Sequence, residues 1–383
     1  MSDATHSNLG LADGAYEVTD ATPGDEPELR RLLREIPMAG FLTVSMQREP
    51  DFHHSAGVEG DTHQTVVVRS PQGDGLIALG TRSTHEAFIN GVAVRQGYLS
   101  QVRISPAYRG GGRLLQKGYA RLHAKHQEDP VHCHITTIIE DNVVARRALT
   151  SGRVGIPPYT PQGVLCTLLI PATSRRYREL PEGILTCRGT ESRMIAIADF
   201  LQTEYVRFQF APRWTAEHLM DATRCRGLRP EDFIVALDGE RIVGCLAVWD
   251  QRAFKQTVVH RYGLGLGRLI GTFNRMGARF NLPHLPRCGE AVDVACLSHV
   301  AVRGDDAAIG LALVRAGIDE VRCRGLAFAA IGLAERHPLY RPIKKAFGHL
   351  QYRSILYTVH WDDGAEVVQT LDGRIPHIEI AML

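Results

Sequence analysis

The run from Tyr98 to Leu115 constrains the fold more than any other part of the chain. Leu99, Val102 and Ile104 are apolar with polar residues between them, Pro106 stops the alternation, and Gly110, Gly111 and Gly112 follow. The alternation predicts a strand ending near Ile104. After the glycines, Leu114, Leu115, Gly118, Tyr119 and Leu122 recur at helical spacing, with Gln116, Lys117, Arg121 and Lys125 left for the wet face. A strand, a glycine loop and a helix start can wrap backbone N–H groups around a diphosphate. The first turn of a helix has N–H groups without partners, and glycines let the backbone close on an anion. Arg109 and Arg113 add positive charge on either side. A tight turn flanked by solvated arginines is the plainer reading of the same residues. The spacing is not that of a dinucleotide fingerprint, and the Gly-Lys-Ser/Thr ending of a P-loop is absent.

Arg109-Gly110-Gly111-Gly112-Arg113-Leu114, preceded by a strand ending in Ser105-Pro106, resembles the acyl-coenzyme A loop of the GCN5-related N-acetyltransferases. The family pattern is Arg or Gln, two variable residues, Gly, one variable residue, then Gly or Ala. Arg109 and Gly112 fit it, whereas Leu114 replaces the last small residue, a change that tightens the pyrophosphate pocket or shifts the helix start. A second strand, His132 to Ile139, leads to Asn142-Val143-Val144-Ala145, similar to the family's Asn-x-x-Ala helix. The resemblance implies acetyl-CoA or another acyl-CoA as donor substrate. It places Val102, Arg103, Ile104, Arg109, Gly110, Gly111, Gly112, Arg113 and Leu114 on the coenzyme, with Asn142, Ala145 and Arg146 beside its pantetheine arm.

The departures fall on the proton-transfer residues. Leu149 stands near the place where many relatives carry a tyrosine that protonates the leaving thiolate, and leucine donates no proton. Tyr159 is the candidate substitute, with a packing role as the alternative. Ser100 and Gln101 occupy the places of the family's strand acids, and neither is a good base at neutral pH. The amine is then activated by a water chain, arrives deprotonated, or meets a base elsewhere, among which Glu49, Asp51, His53, His54 and His134 are nearest. Some tandem relatives bring a chain-terminal carboxylate to the acceptor, so Leu383 joins Tyr159, Ser100 and Gln101 as a catalytic candidate. A thioester is already activated, so positioning and a backbone N–H for the oxyanion carry much of the reaction.

A length of 383 residues suffices for two cores. The expected class is α/β (α+β): two tandem acetyltransferase-like domains, each a central, mostly antiparallel mixed sheet flanked by helices. Residues 1–13 are read as a disordered start, 14–174 as the domain with the acyl-CoA site, 175–190 as a linker, and 191–383 as a degenerate second domain with an insertion at 252–290. The degeneracy reading rests on Arg303-Gly304-Asp305-Asp306, where acids replace the glycine cradle, and on His337 to Pro342, which lacks Asn-x-x-Ala. The insertion's Tyr262 to Ile270 reads as a mobile loop or short helix against the other half, and 372–380 as a turn leading to an edge strand.

A net charge of +2 points to no polyanionic partner, and no nucleic-acid module follows from Arg146-Arg147 or Arg175-Arg176. The eight cysteines lack ligand or disulfide spacing, and His132 and His134 flank a Cys133 that faces away, so no metal is expected. With no membrane-length apolar span and no secretory leader, the expectation is a cytoplasmic protein without membrane contact. Assembly with copies of itself is left open. The resulting expectation is transfer of an acyl group, acetyl first, from acyl-CoA to a small-molecule amine. The alternatives are a peptide N-acetyltransferase and a non-catalytic acyl-CoA-binding protein.

Overall fold

The computed structural model describes residues 16–38, 40, 42–70, 72–73, 75–110, 112–174, 181–280 and 282–383. Gly111, the expected disordered start at 1–13 and residues 175–180 of the expected linker lie outside them. The first half of the chain runs β1 (Glu17–Asp20), α1 (Glu26–Glu35), β2 (Leu42–Gln47), α2 (Ala56–Glu59), β3 (Thr62–Arg69), β4 (Leu76–Ile89), β5 (Val92–Ile104), α3 (Arg113–Glu128), β6 (His134–Ile139), α4 (Val143–Leu149) and β7 (Tyr159–Pro171). The second half opens with β8 (Ile184–Arg188), α5 (Met194–Tyr205), β9 (Ala211–Pro212), α6 (Ala216–Met220), β10 (Phe233–Asp238), β11 (Arg241–Trp249) and β12 (Gln256–Tyr262). It continues with α7 (Ile270–Gly277), β13 (Val294–Val302), α8 (Ala307–Cys323), β14 (Phe328–Ala334), α9 (Tyr340–Ala346), β15 (Leu350–Val359) and α10 (Ala365–Gln369).

Among the described residues, 13 strands form one sheet in the order β1-β3-β4-β5-β6-β15-β7-β14-β13-β11-β10-β8, with β9 on β4. Read inward from its two edges, the order β1-β3-β4-β5-β6-β15 is matched by β8-β10-β11-β13-β14-β7. Strands β5 and β6 pair in parallel, as do β13 and β14, while the other pairs are antiparallel. The last strand on each side comes from the opposite half: β15 sits on β6, β7 sits on β14, and the two meet along ten register positions from Leu350/Leu169 to Val359/Tyr159. The expected mixed sheet is therefore present, and strand exchange makes its two parts inseparable.

Helices cover both faces because the strands are apolar on both. Leu29, Leu32, Leu33 and Ile36, at helical spacing along α1 and its C-cap, pack with Leu76 and Leu79 of β4. On the other face Tyr119 and Leu122 of α3 pack with Leu99 of β5 and Val66 of β3. Burying each such leucine contributes about 1.5–3 kcal/mol before entropy is counted. Helix α8 packs Leu311, Leu313, Val314 and Ile318 into a core shared with β7, β11, β13 and β14.

Two expectations need correction. Residues 184–188 of the expected linker form β8, paired with β10 at the sheet edge. Within the insertion, residues 263–269 form a short 3-10 helix, one of the two expected forms, after β12, which pairs antiparallel with β2 of the first half. The segment 372–380 is not an edge strand. It makes an isolated bridge at Pro376 with Gln209 and ends in a 3-10 turn at Ile380–Met382, its alternating Ile378, Ile380 and Met382 packed inside the molecule.

Candidate active site

Strand β5 carries the geometry on which the site is built. Leu79 of β4 pairs with Arg103 and Thr81 with Ser100, so Gln101 and Val102 together oppose Gly80. This is a β-bulge, with Gln101 at φ 56°. Strand β5 pairs with β6 only at Gly97/His134 and Tyr98/Ile135. Past those pairs β6 stays with β15 as far as Ile139, while β5 stays with β4 as far as Ile104. The two parallel strands therefore part, and the bulge lies on the rim of the opening.

At the top of that opening, α3 begins at Gly112, whose φ of 80° suits glycine, and no side chain caps it. The first N–H groups of α3 thus face outward without a carboxylate or hydroxyl over them. Exposed Arg109, Arg113 and Arg153 surround this start, and a Cβ on Gly112 would lie 2.8 Å from Arg153 Nη1. Arg153 was not anticipated, since it lies beyond the Asn-x-x-Ala segment and only the fold brings it back. Asn142 caps α4, its Oδ1 accepting Ala145 N at 3.2 Å, which fixes that helix against the open end of β6.

The matching place in the second half is closed twice. Asp306 caps α8, its Oδ1 accepting Ala308 N at 2.8 Å and Ile309 N at 3.0 Å, so a carboxylate already occupies the N–H groups a diphosphate would use. Strand β13 has its own bulge at His299, φ 51°. There Glu379 Oε2 accepts His299 N at 2.6 Å, and a Cβ on Gly332 of β14 would collide with Ile380. The chain's last residues therefore fill the gap between β13 and β14.

On the α1 face of β5, below the first opening, buried polar groups converge. Ser100 Oγ meets Thr81 Oγ1 at 2.6 Å and donates to Glu59 Oε2 at 3.4 Å. Arg48 Nη2 donates to Glu59 Oε1 at 3.2 Å, both residues at most 2 % exposed. His63 Nδ1 lies 2.9 Å from Ser83 Oγ and 3.8 Å from Glu59 Oε2. Burial opposes the charge on Glu59, but Arg48, His63 and Lys255 outweigh it and hold the carboxyl below its ordinary range. Burial keeps His63 below its ordinary value, against the pull of Glu59. Lys255 Nζ donates to Ala381 O at 2.9 Å and Leu383 O at 2.5 Å, and burial brings this lysine down to about 7. A cavity of about 20 Å³, room for one water, is lined by Glu59, His85, Tyr98 and Ile135 from the first half and by Phe210, Pro212, Glu379 and Leu383, among others, from the second. Tyr98, on the same face of β5 as Ser100, also lines the cavity, and burial and Glu59 raise it above its ordinary value.

The sequence candidates divide between these places. Ser100 sits in the polar cluster, Gln101 and Val102 form the bulge, and Leu383 lines the cavity. Ile104 and Leu114 pack together on the α3 face, under the glycine loop. Arg103 points to the opposite face, since its partner Leu79 faces α1; only its backbone borders the opening. Tyr159 is not at the cavity. Its hydroxyl is hydrogen-bonded to that of Tyr119 within the α3-side core, beside Leu149, and burial raises it well above its ordinary value. Packing accounts for it without a catalytic role. Glu49 is tied to Arg30 and Arg34, Asp51 accepts His53 N and lies near His54, and His134 accepts from Arg82, so none of the five suggested alternative bases faces the cavity. Glu59, Tyr98 and Lys255 were missed: Glu59 sits in a polar stretch, His53 to His63, that reads as surface.

No family model matches the chain, and no curated protein matches its sequence. Solved structures do match. A GCN5-related N-acetyltransferase from Sphaerobacter thermophilus is 16% identical, with a TM-score of 0.56 over 91% of this chain and 96% of that one. N-myristoyltransferase from Saccharomyces cerevisiae, with bound myristoyl-CoA, is 10% identical, with a TM-score of 0.58 over 98% of this chain and 87% of that one. A GCN5-related glucosamine N-acetyltransferase region of a fungal multi-domain β-N-acetylglucosaminidase is 16% identical, with a TM-score of 0.57 over 91% of this chain and 38% of that one. The chain therefore has the GCN5-related N-acetyltransferase fold, in a form that spans both halves of the sheet. Among the described residues no helix is long and apolar enough to cross a membrane.

Proposed function

We propose that this protein is an acyl-CoA-dependent N-acyltransferase with one active site, in the first half, that transfers acetyl to the amine of a small molecule. The observation that carries the reading is the contrast between the two halves. One opening has an uncapped, arginine-ringed helix start above it, and the other has its helix capped by Asp306 and its gap filled by Glu379 and Ile380. The coenzyme's diphosphate meets Arg109, Gly110, Gly111, Gly112, Arg113 and Arg153, and its pantetheine arm runs between β5 and β6, beside Asn142, Ala145 and Arg146. The solved structures with this fold, one of them holding myristoyl-CoA, support the donor class. The domain division is proposed as 14–174 and 184–383, with β7 and β15 exchanged between the two.

In the reaction the acceptor nitrogen adds to the thioester carbonyl, the C–S bond breaks, and one proton passes in net from nitrogen to sulfur. The acceptor nitrogen attacks as a neutral amine, its ammonium proton having gone to solvent, and Glu59, kept ionised by its neighbours, orients it and takes the one further proton that nitrogen sheds on addition. The backbone at the Gln101–Val102 bulge supplies an N–H for the oxyanion. Tyr98 stays protonated because it is buried, and on this reading it gives its proton to the departing sulfur and is reprotonated by the proton held on Glu59. On this reading the acceptor nitrogen enters beside Glu59, at the cavity walled by both halves. The test is thiol release from acetyl-CoA and longer acyl-CoAs with a panel of amines. Amine-dependent release that falls as the acyl chain lengthens supports the reading. Tight acyl-CoA binding with no release across the panel defeats it in favour of a binding protein.

A further inference from the structure

Among the described residues, the polar face beneath β5 holds a guanidinium with no carboxylate partner of its own. Arg48 is matched with Glu59 at 3.2 Å. Arg103 is 9% exposed, and no carboxylate lies within ion-pair distance of it among the described residues. Its Nη1 donates to the neighbouring Val102 O at 3.0 Å, and its Nε is buried without a hydrogen-bond partner. The nearest charged or ionisable groups are Arg48, which repels it, and the Tyr98 hydroxyl. Burial first, and Arg48 second, bring its pKa down to about 10. A buried guanidinium with no counter-charge is strongly unfavourable, and a bound anion relieves it.

Position decides which ligand that anion belongs to. Ser100 and Arg103 pair with Thr81 and Leu79, alternate residues of β4 that share the α1 face, whereas Ile104 and Leu114 meet on the α3 face under the glycine loop. Arg103 is thus on the side of Glu59, not that of the coenzyme's diphosphate. We propose that the acceptor is an amine carrying a carboxylate, an amino acid, with its carboxylate on the Arg103 fork and its nitrogen at Glu59. The proposal rests on the acyltransferase reading above. A planar carboxylate matches the two-pronged donor edge of a guanidinium that has no carboxylate partner among the described residues. Gln96, with both side-chain polar atoms unpartnered, and His85, with Nδ1 unpartnered, pair across β4 and β5 on the same face and offer further hydrogen bonds to a polar side chain.

The test compares amino acids with their carboxamides, and with aminophosphonates, in acetyl-CoA-dependent thiol release by the full chain. The expected result is a preference of at least 100-fold in kcat/KM for the free carboxylate over the carboxamide. Arg103→Gln reduces that preference to within threefold, and Arg103→Lys restores part of it. Equal rates for acid and carboxamide in the unmodified protein, a preference that survives Arg103→Gln, or a preference for the phosphonate overturns the proposal. If no amine turns over, the acyltransferase reading has failed, and calorimetric titration of the CoA-loaded protein with the same pairs still judges Arg103. Carboxylate-dependent binding lost in Arg103→Gln supports the anion site, and the absence of such binding overturns it. The comparison in the unmodified protein needs no variant to fold.

Discussion

At the scale of single residues, the account depends on where a few charges and hydroxyls stand. Glu59 has Arg48, Ser100 and His63 around it and no exposure to speak of, so removing its charge alters the reaction more than the surface. Glu59→Gln lowers kcat about 10²- to 10³-fold, within the range for loss of a positioned base or acid, as steady-state kinetics with saturating acetyl-CoA will read. Coenzyme affinity in the same variant stays within about twofold of the parent, because Glu59 lies on the face opposite the glycine loop. Gly112→Asp acts on the other partner. Its left-handed backbone penalises any side chain, and the new carboxylate sits at the helix start proposed to receive the diphosphate. Acetyl-CoA dissociation constants rise at least tenfold by titration calorimetry, a prediction contradicted by unchanged affinity in a folded variant.

At the scale of elements, legibility followed distance along the chain. The strand-to-helix turn was readable because strand and helix start lie within one run, Tyr98 to Leu115, and each local choice agrees with the next. The acceptor side was not. Glu59 is at the end of a one-turn helix, Arg48 follows β2, Lys255 precedes β12, and Leu383 belongs to the final turn; only sheet pairing and the exchange of β7 and β15 bring them together. Tyr159 shows the converse error: a tyrosine at a suggestive position whose hydroxyl is taken by Tyr119. The closed second opening gives two element-level outcomes. Asp306→Ala removes a cap and destabilises the protein by about 0.5–2 kcal/mol in urea unfolding, yet coenzyme stoichiometry remains one per chain because Ile380 and Glu379 still fill the gap. Gly332→Ala drives a methyl group into Ile380 and costs about 1–3 kcal/mol; no loss of stability contradicts the tail's placement.

At the scale of the whole molecule, the tail that fills the second opening also carries a titrating carboxyl. Burial raises Glu379 from 4.5 to about 7, although His299 N and Ala381 N hold its charged form and Lys255 attracts it. The folded state therefore binds more protons than the unfolded chain between those values. This contribution to stability is complete below 4.5 and is lost as pH rises to about 7. Lys255 shifts the other way, from 10.5 to about 7, so its penalty is relieved as pH rises above 7. Measured by urea unfolding at several pH values, the stability of the parent relative to Glu379→Gln falls between pH 5 and 7.5; a constant difference contradicts the raised carboxyl. The arrangement also accounts for a sheet that shares two strands yet keeps one site: the second half supplies Lys255, Glu379 and a wall of the cavity in place of a second cradle.

The central claim is that the first opening is a coenzyme site at which an amine is acylated. Amine-dependent release of CoA thiol from acetyl-CoA, followed in parallel for the parent protein and Gly112→Asp, tests it most directly. The predicted result is sustained release by the parent, and at least a tenfold loss at subsaturating acetyl-CoA in a folded Gly112→Asp. Acyl-CoA binding without release by the parent, or equal release by the variant, contradicts the claim.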